Sequence, residues 1–349
     1  MLTYINGCFW TCLITYIVHR YQRNEKKYQF LKIMFAAFPL IYISSVRFNV
    51  GMDYPVYKSA FEIISRGASI EDFEILYHKL NELIAYLGGD FRWLFAVTSI
   101  LFCVMIYKTI FRDSPMPALS AFLLVATTYY FCFFNGVRSM LAYAITFFSL
   151  KYVEERRLVP FLIAVIIAGG FHTTAFLFIV VYFIYNKPFS NRFTLLTTVG
   201  MFAFAPLLGK AVNYLMSLTK YAGYLKSNYA DVEQGYVKLL IIVAVTTFSA
   251  FYYDEKDKKF QLYYSLEVIS LWLTALVPYV PLIARVRWMF GLPVIVLIPL
   301  TISKEKNSES KLLISYLIVG FYAFYCVCNL ILYNTNAVLP YQTIFTLDY

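Results

Sequence analysis

The sequence predicts an all-α polytopic membrane protein with roughly twelve transmembrane helices, some of them broken or re-entrant, and an amphipathic helix at the outer face. Two observations carry this prediction. Of the 349 residues, 60% are hydrophobic and 14% are charged, whereas a soluble domain usually contains about 25% charged residues. Apolar runs that could cross a hydrocarbon core of roughly 30 Å recur along the whole chain. Because no polar stretch is long enough for a separate soluble domain, we expect residues 1–349 to form a single transmembrane domain.

The predicted spans follow one another along the chain with short polar loops between them. Several runs have fewer than the ~20 residues that cross a bilayer as a straight helix, so some are expected to be tilted, broken or re-entrant. In chain order the runs lie at 3–18, 30–46, 91–107, 118–134, 138–153, 158–170, 173–185, 193–208, 236–253, 262–283, 288–302 and 311–332.

Basic residues predict the orientation. The first apolar run is followed by Arg20, Arg23, Lys26 and Lys27, and short loops rich in Lys and Arg stay in the cytoplasm. With this loop inside, the predicted cytoplasmic loops contain 18 of the 30 Lys and Arg residues. Topology and lipid contact therefore account for the net charge of +10, and nucleic acid is not expected as a partner.

Two segments are too polar to span a membrane and are predicted to be outer loops, at 47–90 and 209–235. In the first, apolar side chains recur at helical spacing, which predicts amphipathic helices that lie on or dip into the outer surface. The predicted apolar face comprises Leu76, Leu80, Leu83, Ile84 and Leu87. The predicted polar face comprises Glu74, His78, Asn81 and Glu82.

Charged residues beside apolar sequence are the candidates for a functional site. A charge in hydrocarbon costs about 2.5–3.5 kcal/mol on insertion scales, so each one needs a reason. Beside these charges, Asn135-Gly136, Gly169-Gly170 and two prolines interrupt the predicted helices. Broken helices in a membrane pack against protein or line a wet cavity, which predicts a polar cavity in the outer half of the bundle. The candidates at this level are Arg47, Asp53, Glu74, Arg138, His172, Arg285 and Arg287.

Each candidate also has a purely structural interpretation. The arginines could extend towards lipid headgroups while their stems stay in apolar surroundings. His172 could be a hydrogen-bonded structural histidine, and Glu74 could stabilise the positive N-terminus of its helix. Asp53 could be a turn residue before Tyr54-Pro55.

Several arginines around one cavity suit a diphosphate, because a guanidinium binds phosphate oxygens through paired hydrogen bonds and keeps its charge. Fixed cations also stabilise the charge that a diphosphate leaving group develops. A histidine or carboxylate beside it could remove a proton from an attacking hydroxyl. The sequence contains no cluster with metal-ligand spacing, no P-loop and no dinucleotide motif. It therefore predicts an anion-binding cavity that uses neither a metal nor a cofactor.

Five motifs resemble those of the EpsG family, which comprises Wzy-type polymerases of bacterial exopolysaccharide, capsule and O-antigen. Each motif is weak alone, but their order, their spacing and the matching hydropathy profile are together specific, and the similarity covers most of the chain. At Ile75-Leu76 this chain departs from the Pro or Gly of many members. The motifs are RFNVGMDYPVY at 47–57, FEILY at 73–77, FNGVRSMLA at 134–142, FHTTA at 171–175 and ARVRWMF at 284–290.

The resemblance implies a multi-spanning glycosyltransferase of the bacterial inner membrane whose active site faces outward. It would transfer a growing glycan from undecaprenyl diphosphate to the terminal sugar of a lipid-linked repeat unit. Its expected partners are the undecaprenyl-diphosphate-linked donor and acceptor, membrane lipid and a chain-length regulator protein. A single displacement that inverts the anomeric centre is our hypothesis for the chemistry.

The same resemblance implies roles for the candidate residues. His172 or Glu74 would activate the acceptor hydroxyl, and Asp53 would orient the site or the acceptor. The expected diphosphate ligands are Arg47, Arg138 and either Arg285 or Arg287. The expected contacts to the acceptor sugar are Tyr54, Tyr57, Tyr77 and Asn135.

Two other functions also fit a basic membrane cavity. A flippase of the same lipid-linked sugar, which is not an enzyme, would carry charges through the full depth of the bundle and on both faces, whereas here they favour one face. An O-antigen ligase or a membrane acyltransferase is the other alternative. A ligase would share the arginine and histidine chemistry, but its large outer loop would lie later in the chain than 47–90. The polymerase is therefore the favoured interpretation.

Overall fold

The computed structural model describes residues 1–21, 28–70, 73–226 and 235–345. The chain is all-helical, as predicted; the β-type contact within these residues is an isolated antiparallel bridge between Arg47 and Thr343. Of the first basic loop, Arg23, Lys26 and Lys27 lie outside the described residues. The helices are α1 (Leu2–Arg20), α2 (Gln29–Ser45), α3 (Tyr54–Ser65), α4 (Ile75–Tyr86), α5 (Phe91–Asp113), α6 (Pro117–Ala126), α7 (Tyr129–Asn135), α8 (Val137–Glu154), α9 (Leu158–Phe171), α10 (Val180–Ile184), α11 (Asn191–Ser217), α12 (Tyr236–Phe251), α13 (Lys258–Leu276), α14 (Ile283–Gly291), α15 (Val294–Ser303) and α16 (Ser308–Cys328).

Two compact units divide the chain. The first comprises Met1–Phe178 together with Lys306–Tyr349, and the second comprises Ile179–Glu305. The first unit therefore contains α1 to α9 and α16, and the second contains α10 to α15. The prediction of a single transmembrane domain did not include this division, because no change in composition marks either boundary.

Helix starts follow local sequence chemistry. The side chain of Asp90 accepts a hydrogen bond from the backbone N–H of Arg92 at 2.9 Å, where α5 begins. The side chain of Asn307 accepts from the backbone N–H groups of Glu309 and Ser310, each at 2.9 Å, where α16 begins. These acceptors satisfy N–H groups that have no partner within the helix.

Four helical segments are long and apolar enough, by length and composition, to cross a membrane within the part of the chain that the structure describes. A fifth would be α6 with α7, if this pair, bent by 48°, is one broken span. Helices lie at all twelve predicted apolar runs, but many are too short for a straight span. The predicted count of about twelve spans is therefore not confirmed. The four segments are Phe91–Asp113, Asn191–Ser217, Ile283–Ser303 and Ser308–Tyr333.

A helix ends at or beside each of the three predicted interruptions. Helix α7 ends at Asn135 and α8 begins at Val137, so the chain breaks at Gly136. Helix α13 ends at Leu276, just before the two prolines, and the next helix begins at Ile283. A proline removes a backbone donor and clashes with the preceding turn, which explains why the helix stops there.

At the third interruption, Gly169 and Gly170 lie in the last turn of α9, which ends at Phe171, one residue after the pair. These glycines also provide space. A Cβ atom at Gly170 would lie 2.6 Å from side-chain atoms of Leu76 on α4. The missing side chain lets α9 pack closely against α4, which brings the end of α9 next to the start of α4.

The face of α4 that is buried in the protein coincides only in part with the predicted apolar face. Its buried residues are Tyr77, Asn81 and Ile84, whereas Leu83 and Leu87 are 53% and 73% exposed. Asn81, on the predicted polar face, is thus buried. Burial of this amide is tolerated because its Nδ2 donates to the carbonyl oxygen of Tyr77 at 2.7 Å.

The other predicted outer loop, 209–235, begins inside a helix. Helix α11 continues to Ser217, so the first part of this segment is helical. Residues 227–234 lie outside the described residues.

Candidate functional site

Three side chains from separate parts of the first unit meet at one point. Glu74 precedes α4, Arg138 lies in the first turn of α8, and His172 follows the last residue of α9. Nη1 of Arg138 donates to Oε2 of Glu74 at 2.6 Å, and Nδ1 of His172 lies 2.9 Å from Oε1 of Glu74. We call these three residues the Glu74 cluster. It joins three residues that were predicted to lie at one membrane level.

Backbone conformation places the two outer members of the cluster. Glu74 has an extended backbone (φ −65°, ψ 148°) at the N-cap of α4, and His172 has an extended backbone (φ −158°, ψ 119°) where α9 ends. The backbone N–H and hydroxyl of Thr173 also donate to Oε1 of Glu74, at 3.2 and 3.3 Å. Thr173 was not among the predicted site residues, although it directly follows His172 in the FHTTA motif.

The surroundings of Glu74 set its charge state. Burial alone would raise the pKa of the carboxyl group, because the charged form loses water. The hydrogen bond with His172 and the charge of Arg138 outweigh this effect and lower the pKa from 4.5 to about 2. Glu74 is therefore ionised at neutral pH. A carboxylate that binds protons so weakly is a poor general base.

This pKa shift predicts how stability depends on pH. Because folding lowers the pKa of Glu74, its ionised form stabilises the protein fully above about pH 4.5. That contribution is lost as the pH falls from 4.5 towards 2. We expect Glu74→Gln to lower the Tm at neutral pH, and the Tm difference from wild type to shrink below about pH 4.5. Thermal unfolding in detergent across this pH range measures the effect.

Glu62→Gln is the matched control, because the Glu62 carboxylate is exposed and lies 4.0 Å from Lys58. Its Tm difference from wild type should be small at every pH. A Tm difference for Glu74→Gln that stays constant from neutral pH to pH 3 would contradict the assigned pKa.

Aromatic rings support the cationic member of the cluster. The guanidinium carbon of Arg138 lies 4.4 Å from the ring centre of Phe73 and 6.0 Å from that of Tyr77, within the range of cation–π attraction. A guanidinium has five N–H donors, so the bond from Nη1 to Glu74 does not exhaust its capacity. The cluster side chains are 21%, 11% and 18% exposed for Arg138, Glu74 and His172, which leaves each of them partly accessible.

Arg47, another predicted diphosphate ligand, is only 1% exposed. Its Nη1 donates to the carbonyl oxygens of Phe134 at 2.8 Å and Val50 at 3.3 Å. Its guanidinium carbon lies 4.7 Å from the ring centre of Phe95 and 4.4 Å from that of Phe134. Arg47 therefore does not extend towards headgroups. These contacts favour a structural role, in which it fixes the chain after α2 against the end of α7.

Asn135 connects the chain break between α7 and α8 to distant segments. Its Oδ1 accepts from the backbone N–H of Met52 at 2.7 Å, and its backbone oxygen accepts from the hydroxyl of Tyr57 at 3.2 Å. Its Nδ2 donates to the backbone oxygen of Asn336 at 3.1 Å and lies 3.2 Å from Oδ1 of the same residue. Both polar atoms of the amide predicted to contact an acceptor sugar are thus hydrogen-bonded to protein.

Gly51 allows this arrangement, and its replacement has a predictable effect. Its φ is +98°, and a Cβ atom would lie 2.9 Å from both Oδ1 of Asn135 and the carbonyl oxygen of Phe134. We expect Gly51→Ala to destabilise the first unit by about 1–3 kcal/mol, because strain and a steric clash add. The change in Tm in detergent measures this.

Gly67→Ala separates the two causes. Gly67 has a similar φ of +86°, but a Cβ atom there would meet nothing within 4 Å. It should therefore report backbone strain alone and lower the Tm less. Equal Tm losses for both variants would show that the close approach to Asn135 contributes nothing.

The tyrosines predicted to contact sugar are all buried. Tyr54 stacks on Phe95 with ring centres 4.7 Å apart, and Tyr57 meets Tyr77 edge-on at 6.0 Å. Tyr57 and Tyr77 both interact with Arg138 and help to hold its side chain in place. Asp53 is half-buried at the N-cap position of α3.

The second unit contains the other two predicted diphosphate ligands. Arg285 and Arg287 both lie on α14, and Arg287 is buried. Glu267, on α13, was not predicted; it is 2% exposed and interacts electrostatically with Arg287. An acidic residue inside the apolar run 262–283 is the sequence signal that could have identified it.

Comparison with known proteins gives one match. The family model described as the EpsG family matches residues 9–343, which is nearly the whole chain. No curated protein and no solved structure matches the chain. Among the residues that the structure describes, no group of three or more His, Cys, Asp or Glu side chains could hold a metal ion.

Proposed function

The chain belongs to the EpsG family, a family of Wzy-type polysaccharide polymerases, and on that premise we propose that it is a membrane glycosyltransferase that extends a lipid-linked glycan. The proposed donor is a growing glycan on undecaprenyl diphosphate, and the proposed acceptor is the terminal sugar of a lipid-linked repeat unit. The proposed location is the bacterial inner membrane with the site facing outward. Membrane lipid surrounds the protein, and a chain-length regulator protein is a further proposed partner.

The Glu74 cluster is the observation that carries this proposal. In the proposed transfer, the acceptor hydroxyl oxygen bonds to the anomeric carbon as the bond from that carbon to the diphosphate breaks. The electron pair of the broken bond leaves with the diphosphate, and the hydroxyl proton passes to a base. Such a reaction needs a fixed cation for the diphosphate and a base for the proton. Arg138 and His172 supply this pair, held 2.6 and 2.9 Å from one carboxylate.

Each member of the cluster then has a distinct role. When Nδ1–H of His172 donates to Glu74, Nε2 carries the lone pair that accepts the hydroxyl proton. The carboxylate of Glu74 orients the imidazole and stabilises the imidazolium that forms. The low pKa of Glu74 makes it the weaker candidate for the base. Arg138 binds the diphosphate through guanidinium donors and stabilises its charge as it leaves.

The remaining assignments rest on the family resemblance. Arg285 or Arg287 is proposed as a further diphosphate ligand, and Asp53 as a residue that orients the acceptor. The proposed displacement inverts the anomeric centre and uses no metal.

Arg47 is proposed to support the site rather than to bind diphosphate, because its guanidinium is enclosed by two aromatic rings and binds backbone carbonyls.

Deleting the gene in its host and separating the surface glycan on a gel tests this function. If the protein is a polymerase, long chains vanish, single repeat units persist, and wild-type protein restores the long chains. Full-length chains that accumulate on the lipid carrier would instead identify a ligase. Repeat units that accumulate at the cytoplasmic face would identify a flippase, and the catalytic roles given to the Glu74 cluster would then be wrong.

A further inference from the structure

Residues 334–345 belong to the first unit and contact parts of the chain that lie far away in sequence. The backbone N–H of Phe48 donates to the carbonyl oxygen of Gln342 at 2.9 Å, and that of Ile344 donates to Val46 at 2.9 Å. The backbone N–H of Gly51 donates to Ala337 at 2.9 Å. We call residues 334–345 the docking segment. The first two of these bonds flank the isolated bridge between Arg47 and Thr343, just after α2.

Two tyrosine hydroxyls fix the docking segment to the helices. The hydroxyl of Tyr4 on α1 donates to the carbonyl oxygen of Val338 at 2.8 Å, and Val338 is fully buried. The hydroxyl of Tyr341 donates to the carbonyl oxygen of Ile43 on α2 at 2.9 Å. Backbone and side-chain bonds together hold this segment in one register.

At its centre, the docking segment reaches the chain break next to Arg138. Asn336 accepts from Nδ2 of Asn135 through its backbone oxygen at 3.1 Å, and its Oδ1 lies 3.2 Å from the same nitrogen. Asn135 ends α7, and Arg138 lies three residues later in the first turn of α8. The position of the Asn135 side chain therefore constrains the backbone from which the Arg138 side chain extends.

We propose that Asn336 is a positioning residue for Arg138: through the Asn135 amide, the docking segment fixes the start of α8 so that the Arg138 guanidinium faces the diphosphate of the substrate. This inference rests on the proposed function. Asn336 acts through Asn135, and no contact shown here links it to the Glu74 cluster. Met52 and Tyr57 donate to the Oδ1 and the backbone oxygen of Asn135, whereas Asn336 holds its Nδ2.

Three single variants test the positioning role in purified protein with lipid-linked substrate. Asn336→Ala removes the Oδ1 acceptor but leaves the backbone acceptor, and it should lower kcat/KM by on the order of 10-fold, because small misplacements of binding groups are costly. Asn336→Asp keeps the side-chain acceptor as well as the backbone one and should retain activity near the wild-type level. Thr335→Ala is the matched control in the same segment, because Thr335 is exposed and bonds only to Asn329 among the contacts shown here. It should also retain activity.

A double-mutant cycle separates positioning from general structural support. Arg138→Lys keeps the charge and a measurable activity but loses the planar fork. If Asn336 acts through Arg138, then Asn336→Ala should cost much less in the Arg138→Lys protein than in the wild type. Additive losses would overturn the proposal, and so would wild-type activity of Asn336→Ala.

Hydrogen exchange gives a readout that does not depend on activity. In Asn336→Ala, backbone amides around 134–138 should exchange faster, while those of α9 stay unchanged. Unchanged exchange at 134–138 would overturn the positioning role even if activity fell. If the wild-type protein extends no glycan, the proposed function fails, whereas the exchange result still decides whether Asn336 holds the start of α8.

Discussion

Arg138→Ala is expected to abolish the long glycan chains, with a loss of ~100-fold or more in the rate of chain extension. The guanidinium is the cation assigned to the leaving diphosphate, and its removal also leaves Glu74 without the charge that lies 2.6 Å away. Arg138→Lys should give an intermediate loss, because lysine keeps the charge without the paired donors. The measurement is a gel of the surface glycan from a deletion strain that carries each variant, with membrane protein levels determined in parallel.

Arg92→Ala is the matched control for this experiment. Arg92 also lies near the start of a helix, but its side chain is 53% exposed and pairs with Asp90 at 3.4 Å. Surface pairs of this kind contribute little, so Arg92→Ala should restore long chains. Long chains restored by Arg138→Ala at a normal protein level would remove Arg138 from the reaction and with it the anion-binding role of the cluster.

His172→Ala is expected to lower the turnover rate by roughly 10²–10⁴-fold, the usual contribution of a positioned general base. The effect should fall on kcat more than on KM, since the proton moves in the chemical step. Added imidazole should restore part of the activity to His172→Ala, because the carboxylate of Glu74 remains to orient it. Rates of glycan extension by the purified variant, with and without imidazole, measure both effects.

His78→Ala controls for loss of a histidine near the same site. His78 lies one turn after Glu74 on α4, where its Nδ1 is 3.3 Å from Oε1 of Glu82. This variant should retain wild-type turnover and show no response to imidazole. A fully active His172→Ala would show that another group accepts the proton, and the three-residue arrangement would then be structural.

The charged members of the site could be predicted because charge is costly in apolar sequence. Arg138 and His172 have few charged neighbours along the chain, and this isolation identified them as candidates. Their partner Glu74 is separated from them by 64 and 98 residues, so the contact itself could not be predicted from periodicity. The family resemblance supplied the order of the motifs and the expected chemistry.

Neutral polar partners could not be found in the same way. A threonine or asparagine can occupy many positions at little cost in free energy. Nothing in the sequence therefore distinguishes Thr173 and Asn336 from other Thr and Asn residues. Their roles depend on distances of 3.1–3.3 Å that only the folded chain creates. The sugar contacts at Tyr54, Tyr57 and Tyr77 stay a prediction: the three side chains are buried, and an aromatic motif has the same sequence in a core as in a binding cleft.

Glycine pairs illustrate a third ambiguity. Asn135-Gly136 and Gly169-Gly170 both look like helix breaks in sequence, and a helix ends beside each pair, α7 at Asn135 and α9 at Phe171. At Gly170 the missing side chain is used for contact with Leu76. A glycine signals that a side chain is absent, and the neighbours decide whether that absence permits a turn or a close approach.

The docking segment also imposes an order on biosynthesis. Residues 334–345 leave the ribosome after every residue of 1–178, yet Arg47 and Asn135 depend on them for partners. The earlier helices can enter the membrane before the docking segment is present to hold their site in place. We therefore expect nascent chains that already contain Glu74, Arg138 and His172 to lack a fixed site until residues 334–345 have left the ribosome. Such a delay would keep partly synthesised protein from acting on lipid-linked sugars.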